Sequence, residues 1–284
     1  MLKLASLAID VFTVPGRPLI RPPRPLPPPG GWTWPPTAAV LISSGADAVL
    51  VDTLITIADA EKLADWIEAK RKRLKAIYVT HGHPDHYLGA PVLLKRFPKA
   101  RLIALPHVVN DICQQLNSSI LEKYWKPMFG GDVADGQIFP EPLTDGSIGL
   151  QGHEILAVQA GQSDTLHSTY LYIPELATVV AGDIVFNDVH MDMDATDHAK
   201  RAEWIRTLCQ IDALNPKMVV AAHRRPDAAD TRGIIAENIK YILDFDQILG
   251  TGVGALELIE EMKAAHPTKL NLTTLYDSAY MLAR

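Results

Sequence analysis

Five apolar runs in this chain each break off at a single polar side chain. Ala48-Val49-Leu50-Val51 runs into Asp52, and Ile77-Tyr78-Val79-Thr80 runs into His81. Ile155 to Val158 leads through Gln159-Ala160-Gly161 to Gln162. Thr178-Val179-Val180-Ala181-Gly182 ends at Asp183, and Met218 to Ala222 ends at His223. Short apolar runs bounded this way read as buried strands. In α/β folds such strand ends gather at one edge of a sheet, where sites are built. Each of the five has a bland reading, a turn Asp or a solvated His. Five in register do not.

Periodicity supplies the rest of the framework. Strands are expected over Ala38 to Ile42, Ala48 to Val51, Ala76 to Val79, Arg101 to Ala104, Glu154 to Val158, Thr169 to Ile173, Thr178 to Ala181 and Met218 to Ala221. Ser43-Ser44-Gly45-Ala46-Asp47 joins the first two as a hairpin turn. Helical spacing falls at roughly Ala58 to Arg71, Gly89 to Arg96, Val108 to Lys126, Ala199 to Leu214, Ile234 to Leu249 and Gly254 to Ala265. No internal repeat or linker interrupts residues 1–284, so a single α/β domain is expected.

The second of the five runs opens onto His81-Gly82-His83-Pro84-Asp85-His86. Three imidazoles and a carboxylate within six residues do not suit a core or a solvated turn. Neutral imidazole nitrogens and carboxylate oxygens are the donors that zinc and related metals take, so the cluster points to a bound metal. Composition narrows the partners. The chain carries a net charge of −6 and its basic residues form no stripe, which argues against nucleic acid. Cys113 and Cys209 are too few for a disulfide framework and read as buried thiols. Leu2 to Ile9 lacks the flanks of a secretory segment, and no run approaches the roughly 20 apolar residues of a membrane span. A cytoplasmic protein without membrane contact is expected.

Residues 15–36 hold ten of the 21 prolines together with Trp32 and Trp34. Proline this dense cannot feed a strand ladder, so the stretch reads as an extended loop. It is either a surface crossover or a stiff wall that sets Trp32 and Trp34 against an apolar substrate pocket. His190, which follows the Asp183 strand, is a further candidate to face that pocket.

Taken together these residues resemble the metallo-β-lactamase fold superfamily. The matching segments are Val51-Asp52-Thr53, the 81–86 cluster, Gly161-Gln162-Ser163-Asp164-Thr165, Ala181-Gly182-Asp183 and Ala222-His223, in the right order between residues 38 and 225. The resemblance implies a four-layer αββα sandwich with a metal pair at the sheet edges, in the lactonase and glyoxalase-II-like branch. It implies Zn2+, one or two per chain, with Mn or Fe as alternatives. His81 and His83 correspond to ligands of the first metal, and Asp85, His86 and His223 to ligands of the second. Asp183 corresponds to the carboxylate bridging both, and Asp52 to a carboxylate that orients a ligand imidazole. The chain departs from the family at Gln162, where a third imidazole of the first site is usual. An amide oxygen is a poorer zinc ligand, which implies a first site that is weak, unusual in its metal or empty. His167, five residues on, is a candidate substitute.

The implied activity is hydrolysis of a carboxylic ester or lactone through a metal-activated hydroxide. Asp85 would orient the nucleophile and return a proton to the leaving group. Thioester cleavage of the glyoxalase-II kind and β-lactam cleavage are the alternatives. A reading of another class, a degenerate member that binds without catalysing, rests on Gln162 alone. The expected partner is a small-molecule substrate. The helical segment from about residue 234 suits a lid or a homodimer contact.

Overall fold

The apolar runs fold as strands covered on both faces, which is why they read as continuous rather than alternating. The computed structural model describes residues 5–20, 27–116, 118–136 and 138–283. The first half of the chain begins with β1 (Leu7–Val14), the two-residue strands β2 (Arg17–Pro18) and β3 (Thr33–Trp34), β4 (Thr37–Ser44) and β5 (Asp47–Val51). α1 (Ile57–Ala69), β6 (Arg73–Tyr78), α2 (Pro84–Tyr87), α3 (Ala90–Arg96), β7 (Arg101–Ala104) and α4 (Pro106–Gln115) follow. Short helices α5 (Ser118–Ile120) and α6 (Lys126–Met128) flank a π-helical turn, Leu121–Trp125, ahead of β8 (Glu141–Pro142). The second half runs β9 (Ser147–Leu150), β10 (His153–Gly161), β11 (Ser168–Ile173), β12 (Thr178–Asn187), α7 (His198–Ala213) and β13 (Met218–Arg224). It closes with α8 (Gly233–Gly250), α9 (Ala255–Ala265) and α10 (Leu272–Leu282).

Hydrogen bonding links the strands in the order β8-β7-β6-β5-β4-β13-β12-β11-β10-β9, with β1 antiparallel on β4 from Leu7↔Ser44 to Val14↔Thr37. β5 to β8 are parallel, and β4 and β5 form the expected hairpin around Gly45. The two halves of the sheet meet at the pair His223↔Thr37. They fold face to face about that seam, and strand periodicity sorts the core into three layers. Val40, Ile42, Val49, Val51 and Tyr78 meet Ile155, Leu171, Ile173, Val180 and Val220 between the half-sheets. Their neighbours Leu41, Ala48, Leu50 and Ile77 turn outward beneath Leu63 and Ile67 of α1, Leu93 of α3 and Ile112 of α4. On the other side Val179, Ala181, Val219 and Ala221 pack under Trp204, Leu208, Tyr241, Phe245 and Leu275 from α7, α8 and α10. The result is the αββα sandwich that the sequence leads one to expect.

Several details depart from the sequence reading. The helix expected over Val108 to Lys126 ends at Gln115 and resumes as short helical segments from Ser118. Periodicity does not mark β1, because Asp10 interrupts its apolar pattern; that carboxylate is taken up by an ion pair with Lys70. Nor does it distinguish α10 and β9. Cys113 and Cys209, read as buried, are exposed. The described residues of 15–36 are mostly loop. Arg17↔Trp34 and Pro18↔Thr33 close a small ribbon at its base, while residues 21–26 lie outside the described residues. Among the described residues, no helix is long and apolar enough to cross a membrane.

Leu50 has no exposed surface and sits between the β5 ladder and α1. Leu50→Ala should therefore lower unfolding free energy by about 2–5 kcal/mol in chemical denaturation. A loss below about 1 kcal/mol would contradict this packing.

Candidate metal centre

Four of the five run ends, Asp52, His81, Asp183 and His223, converge on the 81–86 cluster. β6 stops at Tyr78, and the chain turns through Thr80, His81 and Gly82 into α2. Pro84 occupies the first turn of that helix, where its fixed φ and missing N–H cost nothing. His83 caps the helix, so His81 and His83 precede it while Asp85 and His86 lie within it. Gly82 is required at its position, since a Cβ there would stand 2.9 Å from Cβ of Asp111. Across the seam, Gly182 adopts a left-handed φ of +54° and packs on Thr80, setting up Asp183 inside β12. His223 lies in β13 at the seam pair with Thr37.

Three of the four imidazoles are anchored through Nδ1. His86 Nδ1 is 2.8 Å from Asp52 Oδ2, and His81 Nδ1 is 3.1 Å from Thr80 Oγ1. His223 Nδ1 is 3.2 Å from the Pro36 carbonyl. Asp52 is itself held by the Thr80 N–H at 2.9 Å and the Thr80 hydroxyl. Each Nε2 then points inward. His86 Nε2 stands 3.4 Å from Asp85 Oδ1 and 3.5 Å from Asp183 Oδ2. His223 Nε2 is 3.2 Å from Asp85 Oδ2 and 3.1 Å from Asp183 Oδ2. His81 Nε2 lies 3.7 Å from the same Asp183 oxygen, which therefore touches both groups.

A residue that the sequence reading does not single out completes the picture. Asp164 Oδ2 is 3.5 Å from His81 Nε2 and 2.8 Å from His83 Nδ1. Two sets of donors result, His81, His83, Asp164 and Asp183 in one, Asp85, His86 and His223 in the other. Their chemistry suits divalent cations. Four donors at about 2.0–2.2 Å from a tetrahedral ion stand roughly 3.3–3.5 Å apart, close to most of these separations. His81 Nε2, His86 Nε2, Asp85 Oδ2, Asp164 Oδ2 and Asp183 Oδ1 are buried without a hydrogen-bond partner, a costly arrangement unless a cation completes it.

The electrostatics carry the same message. Burial alone would raise the carboxyls of Asp85 and Asp183, but the flanking His86 and His223 hold both below the usual carboxylate range. Burial would lower His83 and His223. The adjacent carboxylates, Asp164 for His83 and Asp183 for His223, override it and lift the two to about 9 and about 10. Asp192 is pushed well up by burial and by Asp194 and Asp164.

Beside the cluster opens a cavity of about 250 Å³. His83, Asp85, Asp164, Asp183 and His223 of the cluster line it, together with Asp192, Asp194 and Asp277. Leu19, Trp34, Trp125, Met128 and Phe186 supply the apolar wall, with Trp34 edge-on to Trp125 and to Phe129. Of the three residues expected to wall a pocket, only Trp34 does so. Trp32, two positions earlier, is buried in the core under β12. His190 is 1% exposed and bonded to the Tyr241 hydroxyl at 3.1 Å, so it is a core residue. Tyr276 is likewise core. Gln162 is buried, and its Nε2 donates to the Ser163 carbonyl at 2.9 Å. His167 belongs to neither donor set: its Nδ1 pairs with Asp111 at 2.8 Å and its ring lies 5.4 Å from that of His107.

Two residues therefore escape the sequence reading, Thr80 and Asp164. Thr80 ends an apolar run directly before His81, and Asp164 is the sole carboxylate of the Gly161–Thr165 segment. Those positions are the available signals.

Residues 32–223 match the family described as the metallo-beta-lactamase superfamily. A hydroxyacylglutathione hydrolase of Synechococcus sp. (strain CC9605) is 40% identical over 60 residues, 21% of this chain and 22% of that protein. An atrochrysone carboxyl ACP thioesterase of Aspergillus fumigatus is 23% identical over 188 residues, 66% of this chain and 50% of that protein. The chain thus spans about a fifth to a half of the curated relatives it matches. Among solved structures, a metallo-beta-lactamase family protein from Thermus thermophilus superposes with a TM-score of 0.65 at 18% identity, covering 95% of this chain and 90% of that one. A metallo-beta-lactamase from Pontibacter korlensis gives 0.61 at 17%, covering 86% and 100%. At these identities the likeness is one of fold.

Two outcomes follow for this region. Asp52→Ala, which frees the His86 ring, should weaken cation binding by about 10 to 100-fold in a titration, and unchanged affinity would contradict the anchoring. Burial, reinforced by Lys269 and His266, pushes His190 down to about 3. The unfolded chain takes up that proton near 6.5, so stability should fall as pH drops from about 6.5 toward 3. In His190→Gln the melting temperature should depend less steeply on pH across that window.

Proposed function

The chain belongs to the metallo-beta-lactamase superfamily, and on that premise we propose that it is a metal-dependent hydrolase of carboxylic esters or lactones. His81, His83 and Asp183 would hold the first cation, and Asp85, His86, His223 and Asp183 the second. Bound divalent cations supply a nucleophilic hydroxide near neutral pH and polarise the scissile carbonyl. The chain's own groups do the rest. Asp52 fixes the His86 tautomer, and the Pro36 carbonyl fixes that of His223. Asp85, which lines the cavity and whose Oδ2 has no hydrogen-bond partner, would hold the proton released there and pass it to the departing oxygen. Trp34, Trp125 and Met128 exclude water from an apolar acyl or alkoxy group. The observation that carries this reading is the set of buried, unpartnered ligand-type atoms from separate chain segments beside a cavity with an aromatic wall.

Thioester cleavage is a second reading, favoured by the names of two relatives, the hydroxyacylglutathione hydrolase and the ACP thioesterase. Matched oxoester, lactone and thioester substrates with one acyl group, assayed after zinc or manganese loading, separate the two by their kcat/KM. His86→Ala should reduce turnover on the preferred substrate by at least about 100-fold and lower the metal content. Near-normal turnover in that variant, or a wild-type protein inert to the whole panel with metal bound, would sink the hydrolase reading.

A further inference from the structure

We propose that Asp164, rather than Gln162, completes the first cation position with His81, His83 and Asp183, and that this added carboxylate tunes the position toward manganese or ferrous iron relative to zinc. The inference rests on the metal-dependent reading above and goes beyond it. Asp164 is 2% exposed, and its two oxygens are used differently. Oδ1 is tied into its own loop, accepting from the Ser163 hydroxyl at 2.7 Å and the Thr165 N–H at 2.9 Å. Oδ2 is left without a hydrogen-bond partner and stands among the donor atoms of His81 and His83. One oxygen tethered and the other facing imidazole is how Asp52 is built as well, except that Oδ2 of Asp52 also accepts from the Thr80 hydroxyl and Oδ2 of Asp164 faces two imidazoles, His81 and His83. The amide nitrogen of Gln162 is tied to its neighbour's carbonyl and the backbone N–H to Glu203, which holds the side chain to its own loop, while Oε1 is buried without a hydrogen-bond partner.

The exchange has chemical consequences. The first position becomes two imidazoles and two carboxylates, a harder donor set than three imidazoles and one. Carboxylates suit manganese, and a two-histidine carboxylate set suits ferrous iron, whereas added imidazole favours zinc. With Asp85, Asp164 and Asp183, three carboxylates would face two divalent ions, so one formal positive charge remains where the family's usual ligands leave two.

Metal stoichiometry tests this apart from activity. Full-length protein is loaded with Mn2+, dialysed, and read by elemental analysis, titration and electron paramagnetic resonance. Two ions per chain with a spin-coupled signal are expected for the wild type. Asp164→Asn keeps the loop's acceptor oxygen but replaces Oδ2 with a donor. It should hold one ion, give an isolated Mn2+ signal, and bind the other at least about tenfold more weakly. Gln162→Leu should retain two. Combining Asp164→Asn with Gln162→His should raise the preference for zinc over manganese at least about tenfold. Circular dichroism and melting curves confirm that each variant is folded. Two tightly bound ions in Asp164→Asn, loss of the first ion in Gln162→Leu, or a wild type that takes only one ion would overturn the inference while leaving the hydrolase reading intact. A wild type that takes none would overturn both.

Discussion

Four carboxylates, Asp52, Asp85, Asp164 and Asp183, are buried within contact distance of four imidazoles, and each has 3% or less of its surface exposed. Removing that much negative charge from water is expensive unless opposite charge or hydrogen bonds replace the solvent. Asp52 is satisfied within the protein, by Thr80 and His86. The other three each leave one oxygen without a hydrogen-bond partner, and those of Asp85 and Asp164 face the imidazole nitrogens of His223, His81 and His83. The fold around them is a device for holding this unfinished coordination shell in place.

The seam of the sandwich is where fold and site become the same structure. His223 is the residue through which β13 pairs with β4, and its Nδ1 is fixed by the Pro36 carbonyl next to that pair. The pairing that joins the half-sheets therefore aims the Nε2 that meets Asp85 and Asp183. Thr80 plays the matching part on the other side, binding Asp52, approaching His81 Nδ1 and packing under Gly182. Residues far apart in sequence are brought together by backbone geometry, and long flexible side chains are not needed. A short His or Asp on a strand end is a stiff ligand.

Much of this is legible before any coordinates. Strands buried on both faces leave continuous apolar runs, and a polar residue closing such a run has few structural reasons to be there. Asp52, His81, Asp183 and His223 stand where that argument puts them. Asp164 escapes it because a carboxylate in a Ser-Asp-Thr loop carries the same signal as an ordinary turn residue. What distinguishes it is the direction of one oxygen, which sequence does not encode locally. Trp32 and Trp34 differ for a related reason. They lie two positions apart in a proline-rich ribbon, where no regular period tells which ring faces the core. His190 likewise sits in an irregular stretch after β12, and its burial depends on α8 and Tyr241, more than fifty positions away.

Gln162 taken alone suggests decay, a family ligand lost and a site abandoned. The surrounding atoms argue otherwise. Decay removes a donor and leaves its partners free to drift or to recruit solvent, yet here the same loop turns a carboxylate into the gap and ties down its other oxygen. Glu203 meanwhile receives the Gln162 N–H, and the Gln162 amide nitrogen is spent on the Ser163 carbonyl, so that position is held in its own loop. The donor count around His81 and His83 is thus kept while its charge is changed. A change of charge at constant donor number alters which cation is preferred and how strongly a carbonyl is polarised, without dismantling the centre.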